Sequence, residues 1–105
     1  MIAIGELLAE MERAAEAEYA PILRATERSR FREIVRRAAP RRILEIGTAI
    51  GYSALVALSE SAADTVVVTL EKDPVMAKRA AAFFARSPFA PRIILRQGDA
   101  CELLP

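Results

Sequence analysis

The chain contains no histidine, one cysteine and four glycines. Without histidine there is no Ser-His-Asp triad, no histidine general base and no histidine metal ligand. The single cysteine, Cys101, cannot close an internal disulfide, which fits a reducing, cytoplasmic setting. No apolar run approaches the ~20 residues that a membrane span requires, so no membrane partner is expected. The first twenty residues hold five glutamates and one arginine, without the basic start and apolar block of a signal peptide. No Gly-Lys-Ser/Thr occurs, which excludes a P-loop. Internal repeats and low-complexity tracts are also lacking.

What is there suffices for one small domain. The 105 residues are 53% hydrophobic, ample for a packed core. Net charge is +1, but unevenly spread. Residues 1–20 carry −4, residues 24–42 carry +6, and the remainder is nearly balanced. The basic block consists of Arg24, Arg28, Arg30, Arg32, Arg36, Arg37, Arg41 and Arg42. It reads either as a solvated helix face or as a phosphate-binding patch for a nucleic acid.

Residues 2–20 have a helical pattern, with Ile4, Leu8, Met11 and Ala15 on one face, until Pro21 breaks it. This helix is a cover for the core or an oligomer contact. A second helix is expected over Ile22–Ala39, with Thr26 as N-cap and Phe31, Ile34, Val35 and Ala38 on its apolar face. From Pro40 the order becomes strand, helix, strand, helix, strand. The strands are Ile43–Ile46, Val66–Leu70 and Ile93–Leu95, and the first crossover helix covers about Tyr52–Ser61. Asp73-Pro74 starts the next helix, as N-cap and first helical residue, and Val75, Met76, Ala80, Phe83 and Phe84 face its core side. Such alternation implies a parallel sheet with right-handed crossovers.

The organising stretch is Arg42 to Ser53. Ile43, Leu44 and Ile46 form an apolar run typical of a parallel strand covered on both faces. Glu45 interrupts it, and a carboxylate there needs a partner. Gly47 and Gly51 bracket the turn into the following helix, whose N-terminal amides are free for a polar ligand. Glu71 lies twenty residues beyond Gly51, at the end of the second strand. Nucleotide-binding βαβ units place a ribose-binding acid there. The glycine pattern departs from G-x-G-x-x-G, since Ala49 and Tyr52 stand at the second and third glycine positions, which argues against a dinucleotide. The same glycines would also serve simply to make a tight β–α turn.

Ile43-Leu44-Glu45-Ile46-Gly47-Thr48-Ala49-Ile50-Gly51-Tyr52-Ser53 resembles motif I of the S-adenosylmethionine-dependent O-methyltransferases of the catechol-O-methyltransferase-like family. Val68–Pro74 resembles the family's second motif and Ile93–Ala100 its third. The resemblance implies an α/β, Rossmann-like class I methyltransferase fold, here as N-terminal helices plus the first three parallel strands. Residues 1–40 would be an N-terminal helical segment and 41–105 the first half of the cofactor-binding domain. It further implies that Glu45 holds the methionine amino end of S-adenosylmethionine, that Gly47 and Gly51 let the backbone approach it, and that Ser53 binds its carboxylate. Glu71 would take the ribose hydroxyls, while Asp99 and Ala100 border the adenine. Asp99 would serve equally as a helix N-cap.

Within the family, Ala20-Pro21-Ile22 and the Gly47–Ser53 turn look most like a bacterial branch that methylates a wobble-position 5-hydroxyuridine in tRNA. Other members methylate catechol- or caffeoyl-type phenols. Family members continue past the third motif into a fourth strand and an Asp-Asn pair, which supply the ligands of a Mg²⁺ ion. Those motifs do not occur in this sequence, so no catalytic or metal-binding residue is expected and the chain alone should be inactive. Lacking a fourth strand, the Ile43–Ile46 strand would have an open edge, which favours a homo-oligomer. The alternative is a non-catalytic cofactor- or RNA-binding module, or an inactive remnant.

Overall fold

A computed structural model describes residues 2–18 and 20–104. Helix α1 (Ile4–Glu18) is followed by α2 (Ala25–Ala38), β1 (Arg42–Ile46), α3 (Tyr52–Ser59), β2 (Val66–Glu71), α4 (Pro74–Arg86), β3 (Ile93–Gln97) and the short α5 (Ala100–Leu103). A 3₁₀ turn at Ala90–Arg92 leads into β3. The three strands form a parallel sheet in the order β1-β2-β3, as the alternating pattern requires. Leu44 pairs with Val68 and Val68 with Ile94, so these three form one row across the sheet.

The core lies on one side of that sheet. Leu55, Val56 and Leu58 of α3 and Ala80 and Phe84 of α4 pack with Val67 of β2. Helix α1 adds Leu7, Leu8, Met11 and Ala15 to the same cluster. Each fully buried aliphatic side chain of this kind stabilises the fold by about 1.5–3 kcal/mol. Polar contacts fix α1 in place. The Tyr52 hydroxyl donates to Glu12 Oε2 at 2.5 Å, and Arg28 lies 5.3 Å over the Tyr52 ring. Burial, then the Glu12 hydrogen bond, pushes the Tyr52 phenol up to about 12, so it remains a donor. At the far end Arg86 forms a two-pronged pair with Glu10, and Arg79 pairs with Glu18.

Several expectations need correction. Helix α2 starts at Ala25, capped by the extended backbone of Arg24 without a side-chain bond, so Thr26 is not the N-cap. Arg28 Nε donates to the Leu23 carbonyl and holds residues 22–24 outside the helix. On α2 only Val35 is fully buried, and Ile34 is 54% exposed, because the helix meets α3 along a narrow stripe. On α4 Val75 is 63% exposed while Ala77 and Ala80 are buried. Asp73 caps that helix as expected, accepting from the Val75 amide at 2.9 Å.

The largest correction concerns β1. It is not covered on both faces: Leu44 is 56% and Ile46 62% exposed, and Ile94 of β3 is exposed beside them. Helices α3 and α4 both pack on the opposite face of the sheet. β1 is also an edge strand, as its expected open edge requires. The Val66 amide donates to the Arg41 carbonyl and the Gly47 amide to the Leu70 carbonyl. The odd-numbered residues of β1 therefore bond to β2, and the backbone groups of Arg42, Leu44 and Ile46 point away from it.

Candidate functional site

The carboxyl ends of the three strands converge on Glu71. After β1 the chain turns back over β2, with the Gly47 and Thr48 amides donating to the Leu70 carbonyl at 2.8 and 3.2 Å. The Ala49 amide donates to Glu71 Oε1 at 2.8 Å. Glu71 Oε2 accepts from the Asp73 amide at 2.9 Å, and the Gly98 amide donates to the Glu71 carbonyl at 2.8 Å. Ala49 adopts a positive φ of 50°, a conformation that L side chains disfavour and that the bond to Glu71 helps to hold. One side chain thus ties the turn after β1 to the turn after β2.

Two cavities meet at this carboxylate. The larger, ≈ 750 Å³, lies between the Thr48–Ala49 turn, Tyr52 and Ser53 of α3, and the Pro21–Arg24 segment before α2. The smaller, ≈ 250 Å³, lies between Lys72 and Gly98–Ala100. Gly47 and Glu71 line both. Volumes of this order suit a small-molecule ligand.

Of the residues expected at the site, Gly47, Ser53 and Glu71 line the first cavity, and Gly47, Glu71, Asp99 and Ala100 line the second. Gly47 has a φ of 89°, and a Cβ there would meet nothing within 4 Å, so its open side is available to a ligand. Gly51 is different. Its φ is 95° and a Cβ would come within 2.5 Å of the Phe84 ring. Its missing side chain makes room for the Phe84 ring, and Gly51 lines neither cavity. Asp99 also caps α5, accepting from the Cys101 amide at 2.8 Å.

Glu45 lies on the covered face, half-buried. Thr69 Oγ1 donates to its Oε1 at 2.7 Å, and Thr48 Oγ1 lies 2.6 Å from Thr69 Oγ1. Burial raises the Glu45 carboxyl above its ordinary value; the Thr69 and Ser53 hydroxyls pull it down, and the Glu71 charge adds to the rise. Sequence reasoning missed Thr48, Thr69 and the Pro21–Arg24 wall. Two threonines in a turn and a strand carry no signal beyond ordinary turn and β preference.

Of the arginines in the basic block, Arg24, Arg28, Arg32, Arg36 and Arg37 form ion pairs with Glu27, Glu12, Glu60, Glu60 and Glu33. Glu60 is held below the usual carboxylate range, chiefly by the Arg32 hydrogen bond. Among the described residues Arg30, Arg41 and Arg42 have no such partner. No helix among those residues is long and apolar enough to cross a membrane.

Comparison with known proteins gives a consistent result. The fold matches an O-methyltransferase from Bacillus cereus solved with S-adenosylhomocysteine, at 29% identity and a TM-score of 0.82, over 94% of this chain and 46% of that one. It matches TomG of Streptomyces achromogenes, an O-methyltransferase of tomaymycin synthesis solved with S-adenosylmethionine, at 29% identity and 0.82, over 95% and 46%. A tRNA1(Val) (adenine(37)-N6)-methyltransferase of Actinobacillus succinogenes is 37% identical over 65 residues, which are 62% of this chain and 28% of that protein. The chain spans under half the length of these relatives. The O-methyltransferase family as a whole matches residues 3–105. With its Rossmann-like parallel sheet and a match over nearly its full length, the chain belongs to the O-methyltransferase family.

Proposed function

We propose that this chain is the cofactor-binding half of an S-adenosylmethionine-dependent O-methyltransferase. One observation carries the reading. The Glu71 carboxylate is buried where the two cavities meet, and its oxygens already accept the Ala49 and Asp73 amides. A carboxylate has about four acceptor positions, so about two remain, the number a vicinal ribose diol needs. The residues fit such a ligand: Gly47 leaves open space beside Glu71, and the cavities extend to either side. When bound, S-adenosylmethionine would supply a sulfonium methyl group for transfer to an acceptor oxygen, with S-adenosylhomocysteine as the leaving group.

In this reading Glu71 binds the ribose, and the Ser53 backbone amide with the other first amides of α3 takes the carboxylate of the methionine moiety, leaving the Ser53 hydroxyl to Glu45. Glu45 holds its amino group, and Asp99 and Ala100 flank the adenine. Gly51 sets the start of α3 from behind. Residues 1–40 form the helical cover and residues 41–105 the cofactor-binding unit. Among the described residues no three His, Cys, Asp or Glu side chains come together, so they do not fit a divalent cation and no step is assigned to one. Calorimetric titration with S-adenosylhomocysteine tests the reading. A saturable isotherm is expected, and a folded chain that gives none overturns it.

The acceptor is a hydroxyl compound, either a small phenol or the 5-hydroxyuridine of a tRNA wobble position. A match to a tRNA (adenine-N6)-methyltransferase, and Arg30, Arg41 and Arg42, which have no ion-pair partner among the described residues, favour a tRNA, although the other arginines of the block are neutralised by glutamates. Transfer of labelled methyl to tRNA lacking that modification, beside a catechol, separates the two. Methylation of the catechol alone would remove the tRNA assignment. A chain that binds cofactor yet methylates neither would be a binding module or a remnant, the second reading, favoured by the lack of a metal cluster among the described residues. The open edge of β1 and the bare apolar row beside it support self-association. A single monomeric species in sedimentation would count against that.

A further inference from the structure

Three side chains on the covered face of the sheet form a chain of hydrogen bonds. Glu45 and Thr69 are direct neighbours across the β1–β2 pairing. Thr69 is fully buried and Thr48 nearly so. An ionised Glu45 can only accept, so Thr69 spends its single proton on Glu45 at 2.7 Å. Thr69 can then only accept from Thr48, 2.6 Å away. The order of donors is therefore fixed from the turn inward: Thr48 to Thr69 to Glu45. The turn that carries Thr48 is the one whose Ala49 amide binds Glu71.

We propose that Thr69 is a positioning residue, which with Thr48 holds the Glu45 carboxylate oriented and charged to receive the ammonium group of the bound ligand. The inference rests on the cofactor reading above and deepens it. The groups around Glu45 act on its charge in both directions. Burial and the Glu71 carboxylate of β2 oppose its charge, while the Thr69 and Ser53 hydroxyls favour it. Helix α3 brings no charged residue, and the Arg24 and Glu27 side chains at the cavity mouth pair with each other at 3.7 Å. Among the described residues no cationic side chain pairs with Glu45. The hydroxyl chain thus keeps ready a charge that a ligand ammonium would complete.

The pH dependence follows in sign. A ligand cation favours ionised Glu45, so affinity falls as pH drops through the Glu45 pKa of the free protein. Without the Thr69 hydroxyl the ionised form loses a bond, so that midpoint moves up. The experiment has two arms. In the first, the carboxyl carbons of glutamate are labelled and the Glu45 titration is followed by NMR in the unliganded chain. Thr69→Val is expected to raise the midpoint by about one pH unit, the equivalent of one charge-assisted hydrogen bond, and Thr69→Ser to restore it. In the second, S-adenosylhomocysteine affinity is measured against pH. Below the wild-type midpoint Thr69→Val should bind roughly tenfold more weakly, with its own midpoint shifted up in parallel, and well above both midpoints its affinity should approach wild type. A merely structural role would weaken binding equally at every pH and leave the midpoint in place, and that result overturns the proposal. If Thr69→Val does not fold, Thr48→Val makes the same test through the other end of the chain, with a smaller rise expected. If wild-type chain binds no S-adenosylhomocysteine, the cofactor reading fails by itself, and the NMR arm still decides the role of the two threonines.

Discussion

Glu71→Ala is expected to abolish saturable binding of S-adenosylhomocysteine and to destabilise the free chain as well. Both effects come from one carboxylate. In the folded chain it accepts the Ala49 amide on one oxygen and the Asp73 amide on the other. Hydrogen bonds to a charged group contribute about 1.5–3 kcal/mol each, so losing both costs about 3 kcal/mol or more. Ala49 would then keep its positive φ without the bond that holds it, and the turn beside the larger cavity would relax. On the proposed cofactor reading, ligand binding should suffer twice, through the lost ribose acceptor and through the displaced turn. Glu71→Gln keeps the shape but offers one acceptor oxygen, with its NH₂ facing a backbone donor, so it should also fall well below wild type. Denaturant unfolding together with calorimetry separates the two losses. Wild-type affinity in a folded Glu71→Ala chain would disprove the role given to this residue.

The second large effect is expected at Gly51. An added methyl would stand 2.5 and 2.7 Å from two atoms of the Phe84 ring, on a backbone with φ of 95°. The left-handed backbone costs roughly 1–2 kcal/mol for an L residue, and the overpacking roughly 1–3 kcal/mol more. Gly51→Ala should therefore lower stability by about 2–5 kcal/mol in a denaturant titration. Combining it with Phe84→Leu should recover the packing part relative to the two single changes, leaving the backbone part. Gly47→Ala is the informative contrast. Its φ of 89° carries a similar backbone cost, but the new methyl would touch no protein atom within 4 Å. Its main effect should be on ligand affinity. Equal stability losses at the two glycines would show that Phe84 does not set the requirement at Gly51.

Much of the fold was readable because its punctuation is local. Pro40, Asp73-Pro74 and the glycines around Thr48–Ile50 mark boundaries through backbone constraints that act within a few residues. The strands and helices accordingly begin and end close to where they were expected. Coverage is another matter. Leu44 and Ile46 look like buried strand residues, and their chemistry suits burial, yet no element among the described residues covers them. Whether an apolar residue is covered depends on what packs there, which a local pattern does not encode. Thr26 and Val75 failed for a related reason. Each fits a cap or an apolar stripe by spacing, but the Arg28–Leu23 bond and the position of the first turn of α4 decide otherwise.

The site was legible in part. Gly47, Ser53, Glu71, Asp99 and Ala100 all line the converging cavities, because the β–α–β spacing delivers them to the carboxyl end of the sheet. Spacing could not say which of two glycines would border the cavities and which a phenylalanine thirty-three residues away. Nor could it reveal Thr69. A threonine is an ordinary strand residue until the register sets it opposite Glu45.

The edge of β1 has a consequence for how its amides meet solvent. Within five residues, the N–H groups of Ile43 and Glu45 are engaged with β2, while those of Leu44 and Ile46 point outward. In a monomer, deuterium should therefore enter this strand at every second amide. If the edge instead docks against a strand of another molecule, the outward set alone gains protection. Stacking through the bare face of Leu44, Ile46 and Ile94 would bury side chains and leave the alternation intact. A single strand thus reports by its labelling pattern which of its two unsatisfied surfaces a neighbour has taken.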